Sequence, residues 1–221
     1  MVNRVGAVRE KRMKVYGYFR SSAAYRVRIA LALKGLSPET AVIRLGQGEH
    51  RGEVFRRINP QRRVPALVLD DGTVLVQSLA IIEYLDEVHP RPPLLPGDPL
   101  TRAKVRAVAD IMACDIHPLN NSGVLKVLRE EFAADEAKVG SWIARWTSEG
   151  LEAVERLIEP GPFAFGAAPG LADVCLVPQL YHARRFKVPL DAFPKIAAVE
   201  AAARALPAFA GAAPEVQPDA E

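Results

Sequence analysis

Two serines stand side by side at Ser21-Ser22, between an aromatic and β-branched run, Lys14 to Phe19, and a stretch of helical periodicity. A hydroxyl at such a junction sits where the first N–H groups of a helix lack partners and the helix dipole is positive. Either serine can act simply as an N-cap. One of them can also donate a hydrogen bond to a bound thiolate and draw the pKa of a ligand's thiol from ~8.5 toward neutrality. Gln77-Ser78 repeats the arrangement at the end of a hairpin, where a hydroxyl and free N–H groups can cap a helix or hold a carboxylate. A third polar group, Cys114-Asp115-Ile116-His117-Pro118-Leu119-Asn120-Asn121, interrupts a helical pattern with a proline and reads alone as a kink with polar neighbours. Guanidinium groups able to grip a carboxylate bidentately are available at Arg20, Arg26, Arg28, Arg184 and Arg185.

Other chemistries find no support. His50, His89, His117 and His182 show no ligand spacing such as HxxxH, and no GxGxxG or P-loop run occurs, so neither a metal nor a nucleotide cofactor is expected. Cys114 and Cys175 lie in apolar runs without CxxC spacing and read as buried structural thiols. A net charge of +3 is too slight to imply a nucleic-acid partner. Hydrophobic content of 49% with 25% charged residues is that of an ordinary soluble globular protein. No window approaches the ~20 apolar residues of a membrane helix and no secretory signal opens the chain, so a cytoplasmic protein without a membrane partner is expected.

The elements that must position these residues divide into two domains. Residues 1–12 read as a disordered tail ahead of Met13, itself a candidate start. From 13 to 88 the order is strand (Lys14 to Phe19), helix ended by Gly35, strand (Ala41 to Leu45), short helix (Glu53 to Ile58), a hairpin turning at Asp71-Gly72, and a helix over Ser78 to Val88 with Ser78 as N-cap. That succession, βαβ, helix, ββ, helix, is the order of a thioredoxin-like domain. Residues 89–99 hold five prolines and one glycine and mark a linker. Beyond it, 100–210 is all-helical, with helices over Leu100 to Glu131, Asp135 to Ile158, Leu171 to Phe186 and Ile196 to Leu206. Residues 211–221 read as a disordered or loosely docked tail. The fold class is therefore α/β plus all-α.

Ser21-Ser22-Ala23-Ala24-Tyr25-Arg26-Val27-Arg28-Ile29-Ala30-Leu31 resembles the signature of the zeta-class glutathione transferases, the maleylacetoacetate isomerases, in which Ser-Ser-Cys precedes Arg-Val-Arg-Ile-Ala-Leu. The resemblance runs from about Lys14 to the tail and implies a glutathione S-transferase fold, glutathione as cofactor and a homodimer. It implies that Ser21 stabilises the glutathione thiolate, with Ser22 and Arg26 beside it, and that a cis bond at Val64-Pro65 lets the Val64 main chain pair with the cysteinyl backbone. Gln77 and Ser78 would hold the γ-glutamyl carboxylate and His50 the glycyl end. His117 and Asn121, with Ser122 and Gly123 adjacent, would contribute partly across the dimer interface. Arg185, followed by Phe186, would anchor a substrate carboxylate, with Arg20 as second choice.

Two positions depart from the family pattern. Ala23 replaces the signature cysteine, which disfavours chemistry through a protein thiol. Gly170 replaces the Ser or Thr expected three residues before Asp173, so half of a reciprocal cap is missing. The activity implied is glutathione-dependent cis–trans isomerisation of a diacid such as maleylacetoacetate, by thiolate addition, rotation and elimination. The alternatives are a maleylpyruvate isomerase, which shares the pattern of Asp115 to Asn121, a general zeta-class transferase, and a transferase-fold binding module without catalysis.

Overall fold

The computed structural model describes residues 13–221; the tail expected at 1–12 lies outside the described residues. β1 (Lys14–Gly17) buries alternate side chains, as a strand with one covered face must. α1 (Ser22–Leu33) follows and ends as expected: Gly35 adopts φ +68°, its N–H bonds to Ala32 O at 3.1 Å, and Leu36 N–H bonds to Leu31 O at 2.9 Å. Only a residue without a Cβ takes that left-handed position cheaply. β2 (Glu39–Val42) pairs in parallel with β1 and begins two residues before the expected strand, because its register sets Glu39 opposite Lys14. α2 (Glu53–Ile58) leads to β3 (Ala66–Val68), β4 (Val74–Val76) and α3 (Ser78–Val88).

The sheet order is β2-β1-β3-β4, with β3 antiparallel to both neighbours. Tyr16 lies opposite Ala66, and Ala66 opposite Val76. The C-terminal ends of β1 and β4 therefore meet the N-terminal end of β3 at one edge of the sheet. From that edge leave the segments carrying Ser21, Val64-Pro65 and Gln77-Ser78. Because β2 runs parallel to β1, the segment holding His50 leaves from the same edge.

The second half is helical with one small addition. α4 (Pro99–Asp110) is N-capped by Asp98, whose carboxylate accepts the Thr101 N–H at 2.8 Å. The helical stretch over Leu100 to Glu131 is broken where the proline interruption was expected. A π-helical turn, Ile111–Ile116, precedes the three-residue α5 (His117–Leu119), and α6 (Ser122–Glu130) starts afresh at the N-cap Asn121. The cause is Pro118, which lacks an N–H and cannot continue the ordinary ladder; the chain widens one turn ahead of it, and His117 N–H reaches back five residues to Met112 O. α7 (Glu136–Leu157) packs against this turn so closely that a Cβ on Gly150 would lie 2.4 Å from the Ile116 side chain. The two-residue strands β5 (Glu159–Pro160) and β6 (Phe165–Gly166) join α7 to α8 (Leu171–Arg185), followed by α9 (Pro194–Arg204) and α10 (Pro207–Ala210).

Two further expectations need correction. Cys114 is exposed, because the widened turn carries it to the outer face, whereas Cys175 is buried as expected. Within the proline-rich linker Leu94 and Leu95 are buried and their N–H groups bond to Asp86, which also pairs with Lys34 at 2.6 Å. The terminal segment 211–221 is docked rather than loose, with Ala212 buried and Asp219 accepting the Phe19 N–H at 3.0 Å. One continuous cluster of buried side chains runs from Val15, Ile29 and Leu67 to Leu176, Leu180 and Val199, so α1 belongs to the core of both halves. Among the described residues no helix is long and apolar enough to cross a membrane, and no three His, Cys, Asp or Glu side chains gather as a metal site.

Candidate functional site

Ser21, not Ser22, is the N-cap of α1, and its Oγ accepts the Ala24 N–H at 3.2 Å. Ser22 is only 5% exposed and occupies the first helical position. Capping uses a lone pair and leaves the Ser21 hydroxyl hydrogen free, so cap and donor are compatible roles for one side chain. The segment ahead of it is held firmly. Arg28 donates from Nε to Ala212 O at 3.0 Å and from its two Nη atoms to Tyr18 O and Phe19 O at 3.4 and 2.9 Å. Burial pushes that guanidinium down to about 10, yet three carbonyls fix it.

Val64-Pro65 is cis, as expected. Among the described residues neither the N–H nor the C=O of the buried Val64 has a backbone partner, so both are open to an extended peptide. The preceding turn is organised by Asn59, which is buried, donates to Arg63 O at 2.6 Å and accepts the Gln61 N–H at 2.9 Å. Gln61 in turn accepts from Gln77 Nε2 at 2.8 Å. Gln77, rather than Ser78, is the N-cap of α3, and it holds φ +69° without a side-chain cap bond. A non-glycine residue in that region costs about 1–3 kcal/mol and persists only where its surroundings enforce it. Its effect is to leave the first N–H groups of α3 uncapped, with the Ser78 hydroxyl among them.

Arg26, expected at the ligand, lies behind Ser78: it is 1% exposed and its Nη1 donates to Ser78 Oγ at 3.4 Å. His50 is half-buried in a one-turn helix, its Nδ1 buried without a partner; burial lowers its pKa, and Arg51 and Arg62 lower it further. On the helical side, burial pushes His117 down to about 3, with Arg26, His182 and Arg63 adding, so its imidazole is neutral at physiological pH. Asn121 caps α6 through the Gly123 N–H at 3.0 Å, with Ser122 and Gly123 exposed at that helix start.

The two arginines near the end of α8 have opposite fates. Arg184 is engaged by both carboxylate oxygens of the buried Glu200. Arg185 is exposed, lies 5.1 Å from the Phe186 ring, and has no carboxylate partner among the described residues. Arg20 is held by the Tyr18 hydroxyl at 2.9 Å and by Glu221 at 3.7 Å. Both arginines act on the same phenol: burial raises Tyr181, and Arg185 and Arg20 pull it back. Tyr181 meets Tyr25 of α1 edge-on at 6.3 Å, so α8 packs against α1 one helical turn ahead of Arg185. His182, one residue on, is pushed down to about 4 by burial, then by Arg185 and Arg26, and its buried Nδ1 has no partner.

The structure thus brings Ser21, Val64, Gln77 and Ser78 to one sheet edge, with Arg20 next to Ser21, His50 on the loop leaving that edge and His117 within the electrostatic reach of Arg26 and Arg63, while Arg185 stands near the end of α8. Sequence reading missed Asn59, Gln61, Asp219 and His182. The Asn59-Pro60 pair is a turn signal that could have flagged the first two; nothing local marks the others.

The carboxylates, thiol and extended backbone of a glutathione-like peptide match what the chain leaves open here: uncapped N–H groups at Ser78, the unpaired main chain of Val64, the Ser21 hydroxyl and the orphaned His50 nitrogen. Comparisons with known proteins agree. The N-terminal-domain model of the glutathione S-transferase family matches residues 20–88, and the C-terminal-domain model residues 147–210. The chain is 54% identical over 209 residues to a maleylacetoacetate isomerase of Pseudomonas aeruginosa, covering 94% of this chain and 98% of that one. It is similar to a solved holo maleylpyruvate isomerase, described as a bacterial zeta-class glutathione S-transferase, with TM-score 0.91, 48% identity, and coverage of 94% of this chain and 100% of that one. It is similar also to a maleylacetoacetate isomerase from Methylobacterium extorquens AM1 with bound malonate and glutathione, with TM-score 0.90, 38% identity, and coverage of 94% and 99%.

Proposed function

The chain belongs to the glutathione S-transferase family, and on that footing we propose that it catalyses glutathione-dependent cis–trans isomerisation of an unsaturated diacid, maleylacetoacetate to fumarylacetoacetate. The observation that carries the reading is the meeting of the Ser21 hydroxyl, the open Val64 main chain and the uncapped start of α3 at one sheet edge. When bound, glutathione supplies a thiol for reversible addition across the cis double bond, which becomes single long enough to rotate.

The chain's own residues do the rest. Ser21 donates to the thiolate and lowers the pKa of the thiol. Val64 orients the peptide through its main chain, Gln77 and Ser78 take the γ-glutamyl carboxylate, and His50 the glycyl end. His117, neutral, and Asn121, Ser122 and Gly123 complete the site. Arg185, with Arg20 second, grips a substrate carboxylate and balances the charge that builds on the conjugated carbonyl. Residues 13–88 form the glutathione-binding domain and 100–210 the helical domain that brings the substrate arginine, joined through 89–99. The protein acts as a cytoplasmic homodimer; a groove of about 550 Å³ lined by Ile111, Ile116, Leu119 and Trp146 with Asp115 and Glu149 flanks the turn that carries His117.

The test sets maleylacetoacetate, maleylpyruvate and the neutral acceptor chlorodinitrobenzene side by side, each with glutathione. The expected order puts maleylacetoacetate first. Maleylpyruvate is the second reading, favoured by Asp115 to Asn121, although Ser122 to Lys126 lacks the arginines that follow the Asn pair in that type. Arg185→Ala should raise KM for the diacid roughly tenfold, the scale of one charge-assisted hydrogen bond, and leave glutathione affinity and neutral-acceptor turnover unchanged. Equal loss on diacid and neutral acceptor would sink the assignment of Arg185. Turnover of the neutral acceptor at least as fast as of either diacid would make the protein a general transferase.

A further inference from the structure

One arginine in the core between the two halves has no anionic partner. Arg26 is 1% exposed, and among the described residues no carboxylate pairs with it. Its Nη1 reaches Ser78 Oγ at 3.4 Å and its Nη2 reaches Met112 O at 3.3 Å, both long for a charged donor, while Nε is buried with no partner. Burial depresses its pKa, as it must for a guanidinium lacking a counter-charge. A charge left in this condition calls for an anion close by.

The two bonded ends of the guanidinium touch different halves of the molecule. Ser78 is the first residue of α3, where the N–H groups are uncapped. Met112 O lies in the π-helical turn, and it is the same carbonyl that accepts the N–H of His117. A rigid planar fork therefore spans from the hydroxyl that faces a ligand carboxylate to the carbonyl that fixes the backbone of His117. The imidazole of His117 also lies within the electrostatic reach of Arg26.

We infer that Arg26 is a positioning residue whose missing counter-charge is the ligand carboxylate bound at Ser78, and that its guanidinium couples occupancy of that carboxylate site to the placement of His117 across the two domains. The inference rests on the reading that a glutathione carboxylate docks at Ser78. Arg26 itself does not touch the ligand. It acts through Ser78 on one side and through Met112 O on the other. A residue that merely filled core volume would leave Ser78 and His117 energetically independent, since they share no direct contact.

The experiment is a double-mutant cycle. Glutathione dissociation constants are measured by calorimetry for the unsubstituted protein, Ser78→Ala, His117→Gln and the double variant, then for the same four in an Arg26→Lys background. In the first set, the loss of affinity in the double variant should differ from the product of the single losses by roughly threefold or more, the scale of coupling between residues in one hydrogen-bond network. In the Arg26→Lys set, where the fork is gone, that departure should collapse to about 1.5-fold or less. Multiplicative losses in the first set overturn the inference, and so does coupling that survives Arg26→Lys. If the lysine variants fail to fold, the first set alone decides. An unsubstituted protein that binds no glutathione would overturn the functional reading and this inference together, whereas a multiplicative cycle in a protein that binds it overturns the inference alone.

Discussion

The helix starts of α1 and α8 are built from similar parts and end in opposite states. At α8 the side chain of Asp173 turns back to accept the N–H groups of Gly170 and Ala164, each at 2.8 Å, and the carboxylate is buried. Leu171 N–H bonds to Leu94 O at 2.8 Å, so the donors of that end are consumed by the chain itself. At α1 the Ser21 side chain accepts one N–H, the start is half-exposed, and no acidic residue occupies the first turn. A helix start closed by a buried carboxylate serves the fold, and one with a hydroxyl hydrogen to spare is available to a ligand. The pair also explains the half-missing cap. A Cβ on residue 170 would stand 2.9 Å from Leu94 O, so the position has no room for the serine or threonine that would complete a reciprocal box.

The largest effect should come from unsealing α8. Asp173→Ala leaves one buried and one partly buried N–H group without acceptors and should lower stability by about 2–4 kcal/mol in urea titration with an unchanged slope. Glutathione affinity of the folded fraction should not move. Burial also pushes the Asp173 carboxyl up to about 6, against an ordinary ~3.9. Between those values the native state holds a proton that the unfolded chain has released. The group's stabilising share is thus complete below about pH 4 and declines as pH rises through 6. Asp173→Asn should flatten that part of a plot of melting temperature against pH; a slope identical to that of the unsubstituted protein would break the contrast.

Next in size is the open start. Ser21→Ala should cut turnover tenfold or more and raise the pKa of bound thiol, the scale of ~1.5–3 kcal/mol for a charge-assisted hydrogen bond, with about 1 kcal/mol lost as a cap. Ser21→Asp separates the two roles. An acidic N-cap suits the helix dipole, so stability should hold or rise, while a negative charge beside the thiolate should abolish turnover. Full activity in Ser21→Asp, or a tenfold loss in Ser22→Ala with none in Ser21→Ala, would move the site elsewhere. The smallest effect concerns Gly170→Ser. An attempt to restore the box should destabilise by about 1–3 kcal/mol through overpacking against Leu94 O, and a gain in stability would show that the close approach yields.

Much of this arrangement was legible in the chain. Periodicity and turn chemistry located α1, α2, α3 and the hairpin, because those elements are set by local spacing and by Gly35 and Gly72. The junctions at Ser21-Ser22 and Gln77-Ser78 were legible for the same reason, since a hydroxyl between strand and helix is a local pattern. The rest depended on contacts far away in sequence. Pro118 announced an interruption, but the widened turn is permitted by the approach of Gly150, more than thirty residues on. The burial of Arg26 and the pairing of Arg184 rather than Arg185 with Glu200 are decided by packing between helices that no window of sequence contains. Gln77 at positive φ runs against its own propensity and is held there by Gln61.

The bond from Phe19 N–H to Asp219 spans 200 residues. During synthesis the strand and helix around Ser21 leave the ribosome early, and their own domain can collapse around them. The loop between them must wait for its partner by roughly 10–40 s at ordinary elongation rates. Over that interval Phe19 and Arg20 face water without the terminal segment, and Arg28 lacks its acceptor on Ala212. A nascent chain held on the ribosome before residue 219 has emerged should therefore hold a formed sheet while the loop around Phe19 and Arg20 still lacks the carboxylate that accepts its N–H.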